Sequence, residues 1–265
     1  MTRTLHSEWT KLRTQRGTLV GLLMTGVLMV GFSAFFASDQ HTEGGGLGGD
    51  DDLVQMGLMG IAFAELAVVV VGASLVTAEF GSGMIRTTLT ATQGRLRVLL
   101  AKAIVLSVVV FPVALAASAA GFVAAQSLLR GNGYEPPAYP EVSVTDPSAA
   151  RGVIGTALLL TAYALIALGI GTILRHSGAT IATGVALLFL PLLFLGTFPK
   201  DVARRMEQFT PLAGMAIQST SDRMLSAFDG RNGMPIGPWQ GLGVAFAWAL
   251  AALALGWVAL RYRDV

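Results

Sequence analysis

The chain has 265 residues, of which 53% are hydrophobic and only 13% are charged, and its mean hydropathy is +0.64. Because a soluble globular chain carries about 25% charged residues, this composition excludes an ordinary soluble domain and indicates a protein solvated by lipid. The net charge of +2 is too small to predict a nucleic-acid partner. The chain has no cysteine, which excludes disulfides and thiolate metal sites, and its three histidines are too scattered to predict a metal cluster.

Six apolar segments are long enough to cross a bilayer, whose hydrocarbon core needs about 20 helical residues. Each is predicted to be a helix, because a lone strand in lipid would leave its backbone groups unpaired. We therefore predict an all-α integral membrane protein with a single transmembrane domain over residues 1–265. The predicted spans are Thr18–Ala37, Leu53–Thr77, Ala103–Leu129, Gly152–Leu174, Gly178–Phe198 and Trp239–Leu260.

The charges between the spans predict the orientation. Basic residues precede the first span and also follow the second, fourth and sixth, whereas residues 38–52 after the first span hold acidic residues and no lysine or arginine. By the positive-inside rule, both termini and residues 78–102 face the cytoplasm. Arginine far outnumbers lysine, which is typical of a bacterial gene rich in GC, so the predicted location is a bacterial cytoplasmic membrane.

Residues 1–17 are predicted to form an amphipathic helix on the inner leaflet. Leu5, Trp9 and Leu12 recur at helical spacing and make one apolar face, while Lys11 and Arg13 lie elsewhere on the helix. In this interpretation Trp9 lies at the membrane interface. The alternative is a plain basic anchor that only sets the orientation.

Residues 78–102 form a polar, basic segment between two apolar spans. Gly83 allows the chain to turn after the second span, residues 84–92 are predicted to be a short surface helix, and Gly94 breaks it before Arg95 begins the next helix. Such a framed helix is suited to contact with a soluble partner. The alternative is an ordinary cytoplasmic loop with topogenic charges.

Three further features have two interpretations each. Glu65 is the one formal charge within the predicted spans, and it is either a pathway or gating group or a packing residue. Residues 199–238 are either short extracellular re-entrant helices or a plain loop. The acidic run at residues 50–52 is either a cation site or, as we expect, a solvated loop, and no metal site is predicted.

In the order of its motifs, the chain resembles the type-2 permease family of ABC transporters. The similarity includes a Glu-x-x-Lys pair before the first span, an acidic residue that ends the second span, a glycine–threonine turn with a short helix, a lysine entering the third span, and a proline-to-proline stretch after the fifth. These motifs are Glu8 with Lys11, Glu79, Gly83, Arg86-Thr87-Thr88, Leu89-Thr90-Ala91-Thr92, Arg95-Leu96-Arg97, Lys102, Phe198-Pro199 and Phe209-Thr210-Pro211-Leu212.

The resemblance implies the permease subunit of an ATP-driven exporter. Two permease copies, in a homodimer or a heterodimer, would form the pathway, and two cytoplasmic ATPase subunits would bind ATP and Mg²⁺. It also implies that the coupling helix and its flanks contact the ATPase and that the N-terminal helix lies beside them. The coupling residues would be Glu79, Gly83, Met84, Arg86, Thr87, Leu89 and Arg95, and the surface-helix residues Trp9, Lys11 and Arg13.

This chain itself is predicted not to be an enzyme. A phosphate-binding loop requires a glycine before its lysine, and none of the three lysines follows a glycine. A stand-alone channel or ion-coupled carrier would need several charges within the spans, and an intramembrane enzyme would need paired catalytic groups there. A scaffold or sensor subunit that binds an ATPase without transporting remains an alternative.

Overall fold

Helices form nearly all of the described chain. The computed structural model describes residues 2–40, 52–84, 94–137, 139–194, 197–220 and 236–262. Within these ranges there is no strand, which confirms the all-α prediction. In chain order the elements are α1 Thr2–Thr14, α2 Arg16–Asp39, α3 Leu53–Gly57, α4 Ile61–Gly81, α5 Arg95–Gly131, α6 Pro147–Leu174, α7 Ser177–Phe194, α8 Lys200–Phe209, the 3-10 helix η1 Pro211–Gln218, and α9 Pro238–Tyr262.

Six of these helices are long and apolar enough to cross a membrane, namely α2, α4, α5, α6, α7 and α9. This result confirms the predicted number of spans. Of the two helices that flank the polar stretch at residues 78–102, α4 continues past the predicted span to Gly81, and α5 begins at Arg95, as the sequence predicts. Only residues 82–94 therefore separate the two helices.

The second predicted span is wrong in one respect, because it is not one continuous helix. The short α3 ends at Gly57, and a turn at residues 58–60 precedes α4. Gly60 packs so closely on α2 that a methyl group at its Cα would come within 2.1 Å of the Met29 carbonyl oxygen. Its N–H donates to Ser33 Oγ at 3.1 Å, which pairs a backbone group that the break would otherwise leave unpaired.

Asp52 stabilises the start of α3 and is not the solvated residue that the acidic run predicts. Its Oδ1 accepts from the N–H groups of Val54 and Gln55 at 3.2 and 3.1 Å, as expected for a residue that caps a helix N-terminus. Both Oδ atoms also accept hydrogen bonds from Thr220. Asp52 is only 3% exposed, so it links α3 to the chain that follows η1. The other two aspartates of the run lie outside the described residues.

The core of the bundle lies along α6 and α4. Within the most apolar 18 residues of each span, 83% of α6 and 67% of α4 are buried, compared with 22% of α2 and α7 and 28% of α9. Small residues permit close contact between these helices, as expected for packing in lipid. A methyl group at Gly72 of α4 would come within 2.1 Å of the Ala164 carbonyl oxygen of α6, and one at Gly169 of α6 would come within 2.5 Å of the Ala252 backbone of α9.

The segment predicted at residues 199–238 contains α8 and η1, and residues 221–235 lie outside the described chain. The helix η1 is buried against α6 and α9. The Tyr163 hydroxyl donates to the Pro211 carbonyl at 3.3 Å, and the Gln218 side-chain amide donates to Thr156 Oγ1 at 2.9 Å. In α8, by contrast, Phe209 is 70% exposed.

Candidate functional site

Four charged side chains from three helices meet at one end of the bundle. We call Glu8, Lys11, Glu79 and Lys102 the ionic cluster. Lys102 Nζ lies 2.7 Å from Glu8 Oε2 and 2.7 Å from Glu79 Oε1. Lys11 Nζ lies 2.9 Å from Glu8 Oε1 and 2.9 Å from the same Glu79 Oε1. The cluster therefore joins α1 to the end of α4 and to the beginning of α5.

The local sequence places each member of the cluster. Glu8 and Lys11 are three residues apart, which brings them to the same face of α1. Leu12 of α1 is 2% exposed and packs in the core, so this face is directed into the bundle. Glu79 lies in the last turn of α4, and Lys102 lies about two turns into α5.

Burial makes the cluster sensitive to the loss of any one charge. Glu8 and Lys102 are 1% and 2% exposed, and a buried charge is tolerated only where it is paired and hydrogen-bonded. Two carboxylates and two ammonium groups also cancel in formal charge. Burial by itself would lower the pKa of Lys11, but the hydrogen bonds and charges of Glu79 and Glu8 outweigh it and hold that pKa above its ordinary value of 10.5.

The ends of the segment between α4 and α5 have backbone conformations that favour glycine. Gly83 has φ +70° and Gly94 has φ +118°, values that residues with a side chain adopt only with strain. Met84, which follows the first of these glycines, is 46% exposed. Three of the predicted coupling residues, Arg86, Thr87 and Leu89, lie outside the described residues.

Arg95 contacts the end of the last helix. Its guanidinium donates to the Leu260 carbonyl and, at 3.1 Å, to the Arg261 carbonyl. These carbonyls belong to the last turn of α9, where a helix has no partners of its own for them. Sequence reasoning placed Arg95 among the ATPase contacts and missed this role, since nothing local in the sequence connects residues 95 and 260.

Another arginine at this end stacks on an aromatic ring. Arg175 follows α6 in the left-handed conformation, with φ 56°. Its guanidinium lies 5.2 Å from the centroid of the Phe80 ring in α4, a distance at which cation–π attraction is effective. We call this end of the bundle, with Lys11, Arg95, Lys102, Arg175 and Arg261, the basic end.

The three predicted surface-helix residues have different surroundings. Lys11 belongs to the ionic cluster, whereas Arg13 is exposed. Trp9 is 38% exposed and lines a groove of about 340 Å³ between α1 and α5, opposite Ile104 and Val108.

Glu65 does not belong to the ionic cluster. It is 14 residues before Glu79 on the same helix, which corresponds to about 21 Å along the axis. It is 6% exposed, and no described residue forms a hydrogen bond or ion pair with it.

The fold is that of a multi-pass helical membrane protein. Buried charges fasten its N-terminal helix to two of its spans. Residues 4–133 match the family model described as ABC-2 family transporter protein. This segment, which includes the whole ionic cluster, is similar to that family, and the match confirms the resemblance found in the sequence. The match supports a membrane permease component of an ABC transporter. Comparison with curated proteins gives no match.

Proposed function

We propose that this chain is the membrane-spanning subunit of an ATP-driven exporter, that it works as two permease copies, and that a separate ATPase subunit docks on its basic end. In this proposal the basic end and both termini face the cytoplasm of a bacterial cell, in agreement with the positive-inside rule. Residues 84–92 form the coupling helix, and α8 and η1 lie on the extracellular side.

The geometry of the basic end carries the proposal. The segment that would receive the ATPase is short, begins and ends with glycines at positive φ, and connects helices that the ionic cluster fastens together. A force on this segment would reach α4 and α5 directly and would reach α1 through Glu79 and Lys102. A loose loop would not transmit force in this way.

Hydrolysis of ATP is assigned to the partner subunit because no lysine of this chain follows a glycine, as a phosphate-binding loop requires. The partner would supply the nucleotide site and its Mg²⁺. This permease would then contribute the pathway and the surface on which the ATPase acts.

Substitution of Arg86 tests the coupling assignment. The chain and a candidate cytoplasmic P-loop ATPase are purified together and reconstituted into proteoliposomes, in which ATP hydrolysis and efflux are measured in parallel. Arg86→Ala is expected to preserve insertion and to uncouple hydrolysis from efflux. Arg130→Ala is the matched control, because Arg130 is an exposed arginine at the opposite end whose ion-pair partner among the described residues is the exposed Glu141, at 3.1 Å.

Crosslinking gives an independent measurement, since the chain has no cysteine of its own. A single cysteine at Leu89 is expected to crosslink to the ATPase, and one at the exposed Ser127, far along α5, is not. The proposal is wrong if no ATPase co-purifies with the chain, or if both positions crosslink equally.

Glu65 is proposed to face the pathway, because a mid-span carboxylate without a described partner needs water or substrate beside it. Glu65→Gln keeps the shape and removes the charge, so efflux should change while hydrolysis by the bound ATPase persists. Unchanged efflux would show that Glu65 is only a packing residue.

A further inference from the structure

A cavity of about 360 Å³ lies beside the ionic cluster, between α1 and the end of α4. It lies at the basic end, close to the segment that connects α4 to α5. Six of its nine lining residues are polar. The lining residues are Glu8, Lys11, Thr14, Gln15, Leu75, Ala78, Glu79, Ser82 and Met84.

The two carboxylate oxygens of Glu79 differ in their contacts. Oε1 accepts hydrogen bonds from both Lys11 and Lys102. Oε2 is buried and has no hydrogen-bond partner among the described residues, although Glu79 as a whole is only 5% exposed. In Glu8, by contrast, each oxygen accepts from one lysine. Buried polar atoms in native proteins are almost always paired, so Oε2 is an acceptor that requires a donor from elsewhere.

Two hydroxyl groups in the cavity wall, those of Thr14 and Ser82, can also accept hydrogen bonds. The Thr14 hydroxyl donates its proton to the Thr10 carbonyl at 3.0 Å, and the Ser82 hydroxyl donates to the Ala78 carbonyl at 2.8 Å. Each of these oxygens keeps lone pairs that can accept a further hydrogen bond. The ammonium group of Lys11 is already engaged by Glu8 and Glu79. The cavity therefore suits a group that carries several N–H donors.

We infer that this cavity receives a basic side chain, an arginine or a lysine, of the ATPase subunit. The inference rests on the proposed function. The charges of the ionic cluster cancel, so the cluster as a whole does not attract a cation. The incoming cation is held instead by a charge-assisted hydrogen bond to Glu79 Oε2 and by neighbouring hydroxyl oxygens. The position of the cavity favours a partner residue, because Ser82 and Met84 are exposed and lead directly into the predicted coupling helix.

The preference for a cation can be measured without any partner. In the full-length chain in detergent, a single cysteine at Ser82 is labelled with a cationic methanethiosulfonate (ethyltrimethylammonium) and with an anionic one (ethylsulfonate). Relative to Thr10→Cys, an exposed control on α1, the ratio of cationic to anionic rate is expected to be about tenfold higher. Equal ratios at the two positions would overturn the inference.

Two second-site variants separate the role of Oε2 from general folding. Glu79→Gln replaces the acceptor with an amide donor and should reduce the ratio at Ser82→Cys to that of the control. Thr14→Ala leaves the ionic cluster intact, so it should fold even where Glu79→Gln does not, and it should also lower the ratio. An unchanged ratio in Thr14→Ala and in folded Glu79→Gln would contradict the inference.

The occupant is identified by protection. The bound ATPase is expected to slow the cationic labelling of Ser82→Cys about tenfold and to leave Thr10→Cys unchanged. Co-purification of the ATPase without protection would overturn only this inference, whereas the absence of any co-purifying ATPase would overturn the proposed function itself. If nanodiscs of phosphatidylethanolamine protect the cysteine and those of phosphatidylcholine do not, the occupant is a lipid ammonium group and the ATPase assignment is wrong.

Discussion

Lys102 is the residue on which the ionic cluster depends most strongly, and Lys102→Met is the substitution that best tests this. Methionine keeps an unbranched side chain that can fill the buried space, but it lacks the ammonium group. Glu8 and Glu79 would then share Lys11 as their one cation. Both carboxylates would keep a hydrogen bond, but one negative charge would be buried without compensation.

The expected loss follows from the burial of the pair. Lys102 and Glu8 are 2% and 1% exposed and lie 2.7 Å apart. Removal of one partner from such a pair costs about 3–5 kcal/mol, because the other charge remains buried without it. In contrast, the side chains of the exposed pair Arg130–Glu141 are 43% and 67% exposed, and Arg130→Met should cost no more than about 1 kcal/mol.

A double-mutant cycle makes the test specific to the cluster. The free energy of unfolding is measured for the wild type, Lys102→Met, Glu8→Gln and the double variant by titration of detergent-solubilised protein with sodium dodecyl sulfate. Contacting charges should give a coupling energy of about 0.5–3 kcal/mol, so the double variant should lose less than the sum of the single losses. Losses that add to within about 0.5 kcal/mol would show that the two charges are independent and would refute the ionic cluster.

Three further outcomes are expected. Gly72→Ala should cost about 1–3 kcal/mol of unfolding free energy because the methyl group would clash with the α6 backbone, whereas Gly26→Ala, which has nothing within 4 Å, should be neutral or stabilising. Arg95→Ala should speed hydrogen–deuterium exchange in the last turn of α9, and Ala at the exposed Arg97 should not. Because the pKa of Lys11 is raised above 10.5, its stabilising contribution is complete below that pH and is lost above it. The stability difference between the wild type and Lys11→Met should therefore be constant at neutral pH and shrink only above 10.5.

The spans were predictable because hydropathy and length are properties of contiguous residues. The break in the second span was not, because a glycine within an apolar run gives no sign of which neighbour it packs against. Gly60 ends a turn here because α2 offers it the Met29 carbonyl and the Ser33 hydroxyl. Asp52 was misjudged for a related reason: its partner Thr220 is 168 residues away.

The residues of the ionic cluster could be predicted as motifs from the sequence, but their contact with one another could not. The Glu8–Lys11 pair, Glu79 and Lys102 each belong to a motif of the sequence, but the motifs predict separate roles for them. Their junction depends on α1 folding back against α4 and α5, which is a tertiary arrangement. One feature of the sequence does predict part of the cluster. Glu79 and Lys102 have opposite charges and lie on either side of the short segment between Gly83 and Gly94, so both are expected near the same end of the bundle.

The contacts at the basic end also determine which helices would move together. The ionic cluster fastens α1 to α4 and α5, Arg95 fastens α5 to the end of α9, and Arg175 of α6 stacks on Phe80 of α4. In the proposed function, a displacement of residues 82–94 would therefore be shared by α1, α4, α5, α6 and α9 at once. None of these contacts involves α7, which is among the least buried spans, so relative motion within the chain would be expected between α7 and the fastened group.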